Sequence, residues 1–238
     1  MRRVLVTGPL ESASEYAQAA RHAGWEAIEW PLLRVVPHRH DVAALLAERF
    51  DWICITSSSA LPFLADLCRA RSTMRSTPCA IVGARSARRA RELGFRIELV
   101  AASSAELCAE LARRAPGGAR VLWPRGHLSD ELACDLRRSS LVVEDPVVYA
   151  TLAIERKSAA PACEAVFFAS PSAVRAWSDD ERTSGRRIAI AIGSTTFDAL
   201  MSATDPAFFD TISLPEPTPE AFAFVLAHLD IGPAEPTS

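Results

Sequence analysis

Four stretches of this chain recur at nearly one spacing. TSSSAL at residues 56–61 is echoed by ASPSAV at 169–174, 113 positions later. AIVGARSARRARELG from Ala80 is echoed by AIAIGSTTFDALMSA, which sets Gly193 against Gly83 at a spacing of 110. SSAELCAEL from Ser103 is echoed by TPEAFAFVL from Thr218, and VLVTGP from Val4 by VLWPRG from Val121, at spacings of 115 and 117. A sequence built this way folds as two similar halves. Two copies make a two-lobed protein and not a solenoid, which needs three or more repeats.

Within each half, short apolar runs alternate with longer amphipathic ones, the pattern of an α/β protein with parallel sheets. Strands are predicted at 4–7, 27–30, 52–56, 80–83, 97–100, 121–123, 141–150, 165–169, 188–192 and 211–214. Helical patterns lie between them, among them 12–23, 60–69, 84–93, 105–114, 130–138 and 219–228. Runs such as AVFFA and IAIAI have no polar face and predict sheets covered on both sides. Two Pro-bounded apolar stretches, PLLRVVP at 31–37 and DPVVYATLAI at 145–154, sit at equivalent places and read as crossings between the lobes. The last residues, 231–238, read as a frayed tail.

A formal net charge of −3, from 26 basic and 29 acidic residues, gives no pull towards nucleic acid or an anionic membrane. No apolar run reaches the ~18–20 residues of a membrane span. The opening MRRVLVTGPL reads as a first strand and not as a secretion signal. The six cysteines form no close pair and are expected to be small buried hydrophobes in a reducing, cytoplasmic setting. His38 and His40 read as a surface pair more readily than as metal ligands. GxGxxG, GxxxxGK[ST] and GxSxG are all absent, which removes the dinucleotide, P-loop and α/β-hydrolase readings.

What recurs is a hydroxyl cluster after a strand. Thr56, Ser57, Ser58 and Ser59 follow WICI, and Ser170 and Ser172 follow VFFA. Ser86 lies just beyond Gly83, while Ser194, Thr195 and Thr196 come directly after Gly193. In parallel sheets these are carboxyl ends of strands, where open α/β folds bind ligands, and helix starts, whose free N–H groups favour anions. Ser and Thr are also the common helix N-caps, so structural capping stays open beside a polyanionic small-molecule ligand.

The stretches VLVTGP, AARHAGWEAIEWPLLRVVP, DWICITSSSAL, AIVGARSARRARELGF, VVYAT, VFFASPSAV, AIGSTTFDAL and PEPTPEAFAFVLAHL, in that order, resemble the uroporphyrinogen-III synthases from about residue 3 to 229. The resemblance implies two α/β lobes with parallel sheets flanked by helices, a two-stranded connector, and a cleft between the lobes. Residues 1–34 with 153–238 would form one domain, 38–149 the other, and 35–37 and 150–152 the crossings. It implies a cofactor-independent lyase that closes hydroxymethylbilane to uroporphyrinogen III with ring D inverted, through a spiro-pyrrolenine and with loss of water. The substrate-binding residues it implies are Thr7, Thr56, Ser57, Ser86, Ser170, Ser172, Thr195 and Thr196. Gly83 and Gly193 would let the backbone approach the ligand.

Tyr149, in VVYAT, would help the hydroxyl depart as a proton or hydrogen-bond donor; the alternative is a connector residue that only packs. Many members carry arginine after the first-strand threonine, where this chain has Gly8. One carboxylate anchor is then missing, or is supplied by Arg85 or Arg125, which otherwise read as surface arginines. The expected partner is the small-molecule substrate, with no nucleic acid and no membrane, in a monomer that meets hydroxymethylbilane synthase at most transiently. Two other readings stay open: a non-catalytic module binding a tetrapyrrole precursor as a sensor, and a two-lobed binder of an unrelated polyanion.

Overall fold

A computed structural model of the protein describes residues 1–38, 42–127, 131–155, 158–177, 187–203 and 209–229. The sequence expectations about the 231–238 tail, His40 and the start of the 130–138 helix at Asp130 fall outside those residues. From the N-terminus the elements are β1 (Arg3–Val6), α1 (Leu10–His22), β2 (Glu26–Glu29), β3 (Leu33–Pro37), α2 (Val42–Ala47), β4 (Trp52–Ile55) and α3 (Leu61–Ala70). Then come β5 (Cys79–Val82), α4 (Ala84–Glu92), β6 (Ile97–Ala101), α5 (Ser104–Arg114), β7 (Arg120–Leu122), β8 (Arg125–Gly126), α6 (Glu131–Arg138) and β9 (Val142–Glu144). The series closes with β10 (Val147–Ala153), β11 (Ala165–Phe168), α7 (Pro171–Ala176), β12 (Arg187–Ala191), α8 (Ser194–Ala203), β13 (Phe209–Ser213) and α9 (Pro219–His228). Short 3-10 turns cover Ser58–Ala60 and Ser72–Ser76.

The chain divides into two compact units, Met1–Arg34 with Leu152–Ser238, and Val35–Thr151. The first holds a parallel sheet in the order β13-β12-β11-β1-β2, the second one in the order β6-β5-β4-β7-β9. A third sheet, β3-β10-β8, contains both strands that run across the unit boundaries. The echoes in the sequence map onto equivalent positions: β4 with β11, β5 with β12, β7 with β1, and α5 with α9.

Both faces of each five-stranded sheet are covered, which is why the strands read as unbroken apolar runs. In the discontinuous unit Val4, Val6, Phe167 and Ile190 face Tyr16 of α1 and Phe222 of α9. The alternate residues Leu5, Val166, Phe168 and Ala189 face Val174 of α7 and Leu200 of α8. In the continuous unit Cys54, Ala80 and Val121 face Leu107 and Leu111 of α5 and Leu136 of α6. Ile53, Ile55, Ile81 and Leu122 face Leu64 and Leu67 of α3 with Ala87 and Ala90 of α4.

Three details depart from the sequence reading. The strand expected over 141–150 is two strands, because Asp145-Pro146 interrupts it and proline has no N–H to give a ladder. Strand β8 carries no apolar signal, being only Arg125 and Gly126. Cys134 is exposed, on the side of α6 away from the inward-facing Leu132, Ala133 and Leu136. Cys54, Cys68, Cys79 and Cys108 are buried and Cys163 is half-buried. Among the described residues no helix is long and apolar enough to cross a membrane.

Candidate functional site

Parallel strands deliver every carboxyl end to one edge of the sheet. In the continuous unit the chain steps from β4 to β5 to β6 in one direction, while β7 and β9 lie on the other side of β4. The β4/β7 boundary is therefore a topological switch point, the place where such sheets open a crevice for ligands. There Trp123, directly after β7, donates its indole N–H to Oγ1 of Thr56, directly after β4, at 3.2 Å. The indole is 1% exposed, so this bond removes the penalty of a buried unpaired donor.

Next to that bond lies a recess of about 90 Å³ lined by Thr56, Trp123, Arg125, Gly126, His127, Tyr149 and Thr151. Its walls come from β8 and β10, which pair in parallel with Tyr149 opposite Gly126. The Arg125 guanidinium lies 5.9 Å from the centre of the Trp123 ring and pairs with Asp145 at 2.9 Å. Asp145 also accepts from Arg137 at 2.6 Å, so one carboxylate holds two arginines beside the recess. The Thr151 N–H donates to Nδ1 of His127 at 3.4 Å. A larger, open depression of about 500 Å³ lies at the amino-terminal edge of the same sheet, lined by Asp51, Arg71 and Pro78 among others. It is away from the carboxyl ends of the strands, and Arg71 there is tied to the carbonyls of Leu46 and Glu48 at 2.7 and 2.5 Å.

Of the residues singled out in the sequence, the structure brings Thr56, Arg125 and Tyr149 together in the recess. Ser57 caps the 3-10 turn by accepting from the Ser59 N–H at 3.2 Å. Gly83 caps α4 with φ +84°, a conformation that side chains rarely adopt, and a β-carbon there would meet nothing within 4 Å. Ser86 is half-buried in the first turn of α4. In the discontinuous unit Thr7 is fully buried and donates its hydroxyl to the Phe167 carbonyl at 2.8 Å, joining β1 to β11. Thr196 is 1% exposed, so neither threonine turns its hydroxyl to solvent. Ser170 caps α7 through the Ala173 N–H at 3.2 Å, and Ser172 accepts from Arg175 at 3.1 Å. Gly193 stands open before α8, and Thr195 is exposed.

Sequence reasoning missed Trp123, Gly126, His127, Asp145 and Thr151. The echo of VLVTGP in VLWPRG marked the stretch as a strand end. The pairing of Gly126 with a tyrosine 23 positions later left no trace in composition or periodicity. Burial pushes the Cys79 thiol up to about 12 and that of Cys163 up to about 11, which leaves both as protonated packing groups at neutral pH. Among the described residues no group of three or more His, Cys, Asp or Glu converges as a metal site.

The sequence profile described as uroporphyrinogen-III synthase HemD matches residues 14–220. The chain belongs to the uroporphyrinogen-III synthase family. This makes it a lyase of tetrapyrrole biosynthesis. The uroporphyrinogen-III synthetase of Helicobacter pylori shares the fold at a TM-score of 0.65 and 15% identity, over 94% of this chain and 98% of that one. A mutant uroporphyrinogen III synthase from the extremely thermophilic bacterium Thermus thermophilus does so at 0.62 and 18%, over 95% and 98%. No curated protein sequence matches the chain. In this synthase-family member, then, the tyrosine and the threonine proposed from sequence share one recess at a switch point.

Proposed function

We propose that the protein closes hydroxymethylbilane to uroporphyrinogen III, inverting ring D by way of a spiro-pyrrolenine. The observation that carries this reading is the shared recess of Tyr149 and Thr56, set in a chain of this family. Its lining of hydroxyls, an imidazole and a guanidinium suits a polar group such as a hydroxymethyl or a carboxylate arm. The Tyr149 O–H protonates or hydrogen-bonds the departing hydroxyl, which leaves as water and makes ring A an electrophilic azafulvenium. The substituted carbon of ring D attacks, the spiro bond system breaks and recloses, and the proton lost as the pyrrole re-forms restores the phenol. This chemistry needs no redox change.

The free substrate closes by itself to the symmetric isomer, so the protein's task is mainly to hold the chain in the productive arrangement. Eight carboxylates call for many fixed donors. In the continuous unit Thr56, Ser57 and Ser86, with the helix start after Gly83, supply neutral ones. Arg125 adds a cation held in place by Asp145, which it shares with Arg137, so the two arginines together keep a net positive charge that favours a carboxylate arm.

The test supplies freshly made hydroxymethylbilane, oxidises the products and separates the uroporphyrin isomers. A protein-dependent excess of isomer III is the expected result. Isomer I alone, from folded protein, overturns the reading and leaves a tetrapyrrole-binding module. Tyr149→Phe is expected to slow turnover roughly ten- to hundred-fold, the lower end of a positioned acid's contribution, with the melting temperature nearly unchanged. An unaltered rate removes the phenol from the mechanism.

A further inference from the structure

Gly24, Gly83, Gly94 and Gly118 take left-handed φ, and a β-carbon at Gly117 or Gly193 would meet no atom within 4 Å. Gly126 differs. Its φ is not in the left-handed region, so the backbone itself would accept any residue. A β-carbon there would lie 2.6 Å from Cε2, 2.8 Å from Cζ and 3.1 Å from the hydroxyl oxygen of Tyr149. Those are the atoms at the far end of the ring, the end that carries the phenol.

We infer that Gly126 is a positioning residue for the reaction: its missing side chain is the seat on which the phenol end of Tyr149 rests. The inference rests on the proposed role of Tyr149. Register explains the geometry. Parallel pairing of β8 with β10 sets Tyr149 opposite Gly126, so the ring lies across the glycine. Relieving a 2.6 Å approach to an ordinary carbon–carbon contact of about 3.5 Å moves the ring by roughly 1 Å. A misplacement of that size at a reacting group can cost about a hundred-fold in rate. Gly126→Ala is therefore expected to act as a loss of the phenol, with Tyr149 still present.

The chain's two tyrosines make this directly visible. Tyr16 is buried in the discontinuous unit, its hydroxyl donating to the Pro217 carbonyl at 2.9 Å, and serves as an internal reference. In full-length protein with 13C-labelled tyrosine rings, Tyr149→Phe assigns the two signals. Gly126→Ala is expected to shift the Tyr149 ring signal and leave that of Tyr16 in place. In the isomer III assay it should lower kcat by about the factor seen for Tyr149→Phe, and the double variant should be no slower than Tyr149→Phe alone. Gly117→Ala is expected to change neither readout.

An unmoved Tyr149 signal with wild-type turnover in Gly126→Ala overturns the inference while leaving the role of Tyr149 standing. A further full loss in the double variant also overturns it, since Gly126 would then act on something other than the phenol. If Tyr149→Phe itself turns over normally, the proposed role of Tyr149 fails, and the ring shift alone still reports whether Gly126 seats it. Should Gly126→Ala melt early, its loss in melting temperature is compared with the loss in a Tyr149→Ala background. A loss that vanishes there supports the seat, and one that persists overturns it.

Discussion

A single hydroxyl, that of Thr56, decides whether the indole of Trp123 is paired. Thr56→Val keeps the shape and leaves a buried N–H without an acceptor, at a cost of about 1–3 kcal/mol. Denaturant unfolding is expected to show that loss, and turnover should fall with it because the same residue lines the recess. Thr56→Ser keeps the oxygen and should restore most of both. Equal stability of the Val and Ser variants would show that the bond contributes nothing. Thr56 was legible in the sequence because polar residues crowd the end of an apolar run, and Tyr149 because VVYAT is a family stretch. Gly126 was not legible, since its significance lies in an atom it lacks and a neighbour that only strand register supplies. What the sequence did not reveal at Thr7 is the partner of its hydroxyl, which donates to the adjacent β11 carbonyl of Phe167.

At the scale of elements, capping and binding compete as accounts of the same hydroxyls. Ser103 is a clean case of capping: it accepts from the Glu106 N–H at 3.1 Å, while Glu106 accepts from the Ala102 N–H at 2.8 Å. This S-x-x-E pattern closes the start of α5 much as a capping box does. Ser103→Ala is expected to lower stability by about 1 kcal/mol and leave turnover unchanged. Thermal melting and the isomer assay check it together, and a slowed reaction would mean that this hydroxyl does more than cap. Most strands and helices were legible because apolar runs and amphipathic repeats survive in a sheet covered on both faces. The break at Asp145-Pro146 and the two-residue β8 were not. Neither is set by periodicity; one follows from a missing N–H, the other from pairing with a strand about twenty positions away.

At the scale of the whole molecule the duplication was the most legible feature, since echoes at spacings of 110 to 117 correspond to equivalent strands and helices. A second property follows from composition. Lys157 is the only lysine, so no cluster of amines masks the loss of thiol protons above pH 9. Burial holds the Cys79 thiol at about 12 and that of Cys163 at about 11. The unfolded chain releases these protons near pH 9 and the folded one keeps them, so unfolding is favoured increasingly as pH rises above 9. Melting temperature is expected to fall steeply from pH 9 to 11, and less steeply in Cys79→Ala; a flat profile in the parent protein would sink the argument. The sheet order also bears on synthesis. The unit Val35–Thr151 is one uninterrupted stretch, whereas β1 is flanked in its sheet by β2 and by β11, which begins at Ala165. At roughly 5–20 residues per second, about ten to thirty seconds of translation separate β1 from that partner. The apolar Val4, Leu5 and Val6 therefore wait on the growing chain while the continuous unit has all its strands, and the pace of the ribosome sets how long they stay open to mispairing.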